Sequence, residues 1–105
     1  MDDWNVRYAE DAIEDIANIA DYIANVLDDP YGALKVASAI EGATRQLVTM
    51  PFRFPQCPLE APDVSECRYA VTGSYVLIFD IEADTQTVIV TNVFHQRQLS
   101  WFSSK

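Results

Sequence analysis

The chain has 105 residues, half of them apolar, and a formal net charge of −9 at neutral pH. That length supports a single domain, residues 1–105, built around one core. No stretch approaches the roughly 20 consecutive apolar residues that a membrane-spanning helix needs, and the acidic opening Met1-Asp2-Asp3-Trp4 does not suit a secretory leader, so a soluble cytoplasmic protein with no membrane partner is expected.

Trp4-Asn-Val-Arg-Tyr8 alternates apolar and polar residues and predicts a short strand. A helix is expected from about residue 10 to residue 27. Ile13, Ile16, Ala20, Ile23 and Leu27 form its apolar stripe, widened by Ile19 and Val26, with Glu14, Asp21 and Asp28 opposite. Nine acids and a single base, Arg7, fall in residues 1–29, so the acidity of the chain is concentrated there. Its simplest reading is a solvated helix face; a docking surface for a basic partner is the alternative. Asp29-Pro30 is a helix start, a capping carboxylate followed by proline at the first helical position. The second helix carries Ala33, Val36, Ala37, Ile40, Ala43, Leu47 and Met50 on one stripe and stops at Pro51. The short connection makes the two an antiparallel helical hairpin.

Four prolines in residues 51–65 exclude a helix or central strand and predict a loop, in which Phe52 and Phe54 are anchors to the core or lining of a cleft. Cys57 and Cys67 are read as free thiols of a reducing compartment. With one histidine they fall short of a zinc set, so neither a metal nor a cofactor is expected. Residues 66–97 then form a small antiparallel sheet. Arg68-Tyr-Ala-Val-Thr72 is a strand, Gly73-Ser74 a two-residue hairpin turn, and Tyr75-Val-Leu-Ile-Phe-Asp-Ile81 a central strand. A turn at Ala83-Asp-Thr-Gln86 leads to a further strand, Thr87 to Phe94, ending at His95. The order of strand, helical hairpin and three-stranded meander is an α+β domain with the helices packed on one face of the sheet.

The chemistry-bearing residues of this sheet are Arg68, His95 and Arg97. Past Asp84 there is no acid, only His95, Arg97 and Lys105, so this segment is mildly basic. By topology the start of the first meander strand and the end of the third lie at opposite ends of the sheet unless a bulge or long loop brings them together. Alone, a histidine at a strand end is more often a surface residue than a catalyst.

The whole pattern resembles the RelE/ParE superfamily, the toxin half of bacterial type II toxin–antitoxin modules, associated with plasmid stabilization. Val6-Arg-Tyr-Ala-Glu-Asp-Ala-Ile resembles the family's first strand and helix, and Leu47-Val-Thr-Met-Pro-Phe-Arg-Phe-Pro55 its helix end and proline loop. Cys67-Arg-Tyr-Ala-Val-Thr-Gly-Ser-Tyr resembles its arginine-led hairpin, and Val88-Ile-Val-Thr-Asn-Val-Phe-His-Gln-Arg97 its closing strand with a basic pair. The resemblance implies a toxin controlled by a cognate antitoxin protein, and first of all a metal-independent mRNA endoribonuclease that inhibits translation at the ribosome. Attack of the mRNA 2′-hydroxyl on the adjacent phosphate needs an acid/base and cations over the phosphorane. In that reading His95 is the acid/base and Arg68 and Arg97 hold the phosphate. Trp101 or Phe102 stacks on a base, and Arg53 contacts the RNA backbone. The alternatives are a ParE-like inhibitor that binds DNA gyrase and a non-catalytic binding module on the same scaffold. Seven lysines and arginines in all are few for an RNA partner, which rewards cations through counterion release.

Overall fold

The computed structural model describes residues 3–58 and 67–101. Within them β1 (Asn5–Tyr8) leads into α1 (Glu10–Asp21), and a single π turn, Tyr22–Val26, comes next. α2 (Pro30–Arg45) is continued by short 3₁₀ turns at Gln46–Val48 and Pro51–Arg53. The meander is β2 (Arg68–Thr72), β3 (Tyr75–Glu82) and β4 (Thr87–His95), closed by a 3₁₀ turn, Gln96–Gln98. The sheet order is β1-β4-β3-β2. β1 lies parallel to β4, and the other pairs are antiparallel. The α+β architecture expected from the sequence is the one observed.

The second helix packs on the stripe expected of it, whereas that of α1 differs in part from the expected one. Residues packed on the sheet or buried are Ala12, Ile16, Ile19 and Ile23, whereas Ile13, Val26 and Leu27 are 56%, 65% and 55% exposed. The π turn is the reason at the C-terminal end. The Leu27 N–H donates five residues back to the Tyr22 carbonyl at 3.1 Å, and the extra residue in that turn rotates the chain beyond it away from the core. Asp28 then takes a left-handed conformation, and the Asp29 N–H returns to the Ile23 carbonyl at 3.0 Å. Asp29 caps α2 as expected, its Oδ1 accepting from the Gly32 N–H at 2.9 Å. α2 ends sooner than its stripe suggested. Pro51 disfavours helix at Met50, which is left-handed, and Thr49 is extended.

The core lies between the helices and one sheet face, with Ile40 and Leu47 set against Leu77, Phe79, Val88, Val90 and Val93. Strict alternation along β4 would put residues 88, 90, 92 and 94 on that face. A bulge intervenes. Ile78 pairs with Asn92 but Phe79 pairs with Val90, so Thr91 is the extra residue and its hydroxyl donates to the Ile78 carbonyl at 3.2 Å. Past the bulge Val93 and His95 face the helices and Phe94 faces away.

Asp15 reaches from α1 to this irregularity. Its Oδ2 accepts from the Val93 N–H at 2.9 Å and from Asn92 Nδ2 at 3.3 Å. β1 has ended by that point, so the carboxylate takes the place of a strand partner.

The cysteines are a correction. Cys57 and Cys67 are joined in a disulfide rather than free. The Pro loop runs back along β2, where the Cys57 N–H donates to the Cys67 carbonyl at 2.8 Å. The two Cα atoms therefore stand 5.5 Å apart, within bridging range.

Candidate functional site

The bulge delivers His95 to the end of β4, on the helix-facing side, opposite Tyr75 of β3. The two rings meet edge to face at 5.3 Å. His95 also caps the final 3₁₀ turn. Its Nδ1 accepts from the Arg97 N–H at 3.1 Å, and its own N–H donates to Gln98 Oε1 at 2.8 Å. An accepting Nδ1 carries no proton, so in the neutral ring the proton sits on Nε2, the nitrogen left for a ligand. Gln96 ties this turn to the hairpin. Its N–H donates to the Ser74 carbonyl at 2.8 Å and its Nε2 to the Gly73 carbonyl at 3.1 Å. Gly73 has a φ of +57°, which suits glycine in a two-residue turn. Arg97 is exposed, and among the described residues no hydrogen bond or ion pair holds its guanidinium.

A cleft of about 280 Å³ opens beside this turn, between α2 and the hairpin, lined among others by Lys35, Val36, Thr72 and Tyr75. Lys35 lies 5.6 Å from the centroid of the Tyr31 ring. Neither Lys35 nor Tyr75 was picked out from the sequence. Lys35 had one signal, as one of only two lysines in the chain. Asp15 had another, since it falls one helical turn after the buried Ala12 rather than on the outer face.

Arg68 lies elsewhere. It pairs in register with Phe79, four residues along β3 from Tyr75, so it is about 13 Å further along the sheet and two strands across from His95. Its Nη1 donates to the Phe52 carbonyl at 3.2 Å and to the Phe54 carbonyl at 2.6 Å, and its guanidinium covers the Phe52 ring at 5.3 Å. Arg53 is at the same end. Its guanidinium lies 4.4 Å from the centroid of the Phe54 ring, and its Nη2 donates to the Gln46 carbonyl at 3.3 Å. Phe54 meets the buried Phe79 at 5.8 Å and Phe52 meets Trp4 at 5.6 Å, so both loop aromatics pack on the domain. Trp101 packs on Tyr69 at 5.3 Å. Tyr69 alternates with the core-facing Ala70, which puts that contact on the sheet face away from His95. Phe102 lies outside the described residues.

The structure thus brings His95 and Arg97 together, places Arg68 with Arg53 at the other end, and sets Trp101 on the reverse face. Among the described residues no group of three or more His, Cys, Asp or Glu is placed to hold a metal ion. None of their helices is long and apolar enough to cross a membrane.

Residues 6–100 match the family model described as the ParE toxin of the type II toxin–antitoxin system parDE. Among solved structures, a chain of the chromosomal ParDE system from P. aeruginosa superposes with a TM-score of 0.71 at 18% identity, covering 88% of this chain and 95% of that one. A chain of the RelBE2 toxin–antitoxin complex from Mycobacterium tuberculosis gives a TM-score of 0.66 at 20% identity, covering 89% of this chain and 98% of that one. At such identities the structural likeness is one of fold. No curated protein matches the chain in sequence. The family match runs through nearly the whole chain, which belongs to the ParE toxin family of type II toxin–antitoxin systems, within the RelE/ParE superfamily.

Proposed function

We propose that this ParE-family toxin is held by a cognate antitoxin and acts by binding a protein target, in the manner of ParE-like gyrase inhibitors, rather than by cutting RNA. The observation that carries the reading is the separation of Arg68 from His95, with Arg68 Nη1 bonded to the Phe52 and Phe54 carbonyls. Cleavage through the 2′-hydroxyl needs several cations around one phosphate. Here His95 and Arg97 share one turn, and Arg68 is not with them. The net charge of −9 also repels a polyanion at long range. Inhibition by binding needs no catalytic set.

The antitoxin reading draws support from the similar ParDE and RelBE2 systems and from the surface of the helical hairpin. Tyr22, Val26, Leu27, Tyr31 and Leu34 are exposed at its tip, beside Asp21, Asp28 and Asp29. An apolar patch rimmed by acids fits a basic, apolar antitoxin segment.

The second reading is the metal-independent mRNA endoribonuclease. It is favoured by the meeting of His95, Arg97 and Tyr75 at one turn, since an imidazole is the side chain best suited to acid/base work near neutral pH. One pair of assays separates the two. Purified toxin is added to gyrase supercoiling and to in vitro translation with primer extension on the mRNA. Inhibited supercoiling with intact mRNA is the expected result. Codon-phased cuts that vanish in His95→Ala and Arg97→Ala would replace binding with cleavage.

A further inference from the structure

β2 is an edge strand, and its outer rim is covered by the chain's own proline loop. Gln56 bridges to Arg68 in antiparallel fashion. The Tyr69 N–H donates to the Pro55 carbonyl at 3.0 Å, and the Cys57 N–H donates to the Cys67 carbonyl at 2.8 Å. Pro55–Cys57 is therefore a rudimentary fifth strand resting on two backbone bonds. So short a strand does not hold itself in place. Two attachments flank it: the Arg68 bonds to the Phe52 and Phe54 carbonyls on one side, and the Cys57–Cys67 bond on the other.

We propose that the Cys57–Cys67 pair is a redox-controlled clasp on the sheet edge: the disulfide holds Pro55–Cys57 against β2, and two-electron reduction by a dithiol releases it. This is independent of the target reading above. Cys57 is buried and Cys67 is the more exposed of the pair, so Cys67 Sγ is the atom a thiolate reaches. Attack there forms a mixed disulfide and expels the Cys57 thiolate. The second thiol of the dithiol then closes its own disulfide and expels the Cys67 thiolate. Both cysteines end as thiols on protonation, and the dithiol is oxidised. With the covalent tie gone, two backbone bonds and one arginine face the full conformational freedom of the loop. The rim of β2 then opens to solvent. In a reducing compartment the clasp is open, and oxidation closes it.

The test uses the full chain. Alkylation of the denatured chain, read by mass, counts thiols with and without prior treatment with dithiothreitol; none before and two after is expected. Hydrogen exchange on the folded chain then compares the two states. Exchange at the Cys57 and Tyr69 amides should rise about tenfold or more on reduction, while Leu77 and Val90 keep their protection. A Cys57→Ser/Cys67→Ser variant should show the reduced pattern with no reductant present. Two alkylatable thiols in the air-oxidised chain would overturn the proposal, as would equal protection of Cys57 and Tyr69 in both states. Loss of protection throughout β3 and β4 would overturn it too, because the bond would then be a general staple of the fold.

Discussion

At one end of the sheet Arg53 and Arg68 lay their guanidinium groups on backbone carbonyls and phenyl rings; at the other, Arg97 projects from a short turn beside a histidine whose Nε2 is left over. The same residue type serves packing in one place and stands exposed in the other. Where the donors go makes the difference. The proline loop carries carbonyls that no secondary structure satisfies, and an arginine nearby supplies their donors. At the turn end Gln96 and Gln98 already satisfy the backbone, so nothing local claims Arg97.

The largest test strikes the loop end from beneath. Phe79 is fully buried, meets the Phe54 ring, and pairs in register with Arg68. Phe79→Ala is expected to cost about 4 kcal/mol in urea unfolding, through lost burial and the cavity left behind. Next comes the contrast itself. Arg68→Ala removes two bonds from a charged donor and should cost about 2 kcal/mol, whereas Arg97→Ala should stay within about 0.5 kcal/mol of the parent. Equal costs for the two arginines would break the comparison. Asp15→Ala bears on the turn end. It leaves the buried Val93 N–H without its acceptor and should cost about 1.5 kcal/mol. If the bulge depends on that carboxylate, the NMR shifts of His95 move with it; unmoved shifts would limit Asp15 to stability alone.

Much of this architecture was legible because it rests on local rules. Asp29-Pro30 marks a cap, Gly73-Ser74 marks a hairpin, and the apolar runs of β3 and β4 mark buried strands. The π turn and the bulge were not legible. Each adds one residue to an otherwise regular element, and the residues involved, Tyr22–Val26 and Thr91, carry no proline or glycine to announce it. Both change which face a side chain meets, so Leu27 left the core and His95 joined the helix side. The disulfide was missed for a different reason. The free-thiol reading rested on an assumed reducing compartment, and only the run of the loop back along β2 shows that the two cysteines meet. Strand direction put Arg68 and His95 at opposite ends of the sheet unless a bulge or loop intervened; that the bulge in β4 does not unite them, and that the loop carbonyls use Arg68, required the structure.

The smallest expected effect lies between the two ends, at Asp80, which pairs with Ile89 midway along β3. Burial pushes its carboxyl above the ordinary 3.8, and the Glu82 charge on the same face pushes the same way. The folded chain therefore binds this proton more tightly than the unfolded chain. Ionised Asp80 subtracts from stability above its folded pKa, and that loss is relieved as pH falls through the folded pKa toward 3.8. Asp80→Asn should thus be slightly more stable than the parent near neutrality, by an amount that solvent screening keeps small. The advantage should fade to nothing in acid. Unfolding free energies of the two chains across pH test this, because every other carboxylate is common to both and cancels in the difference. A gap that stays constant with pH would mean that the substitution acts through packing rather than through charge.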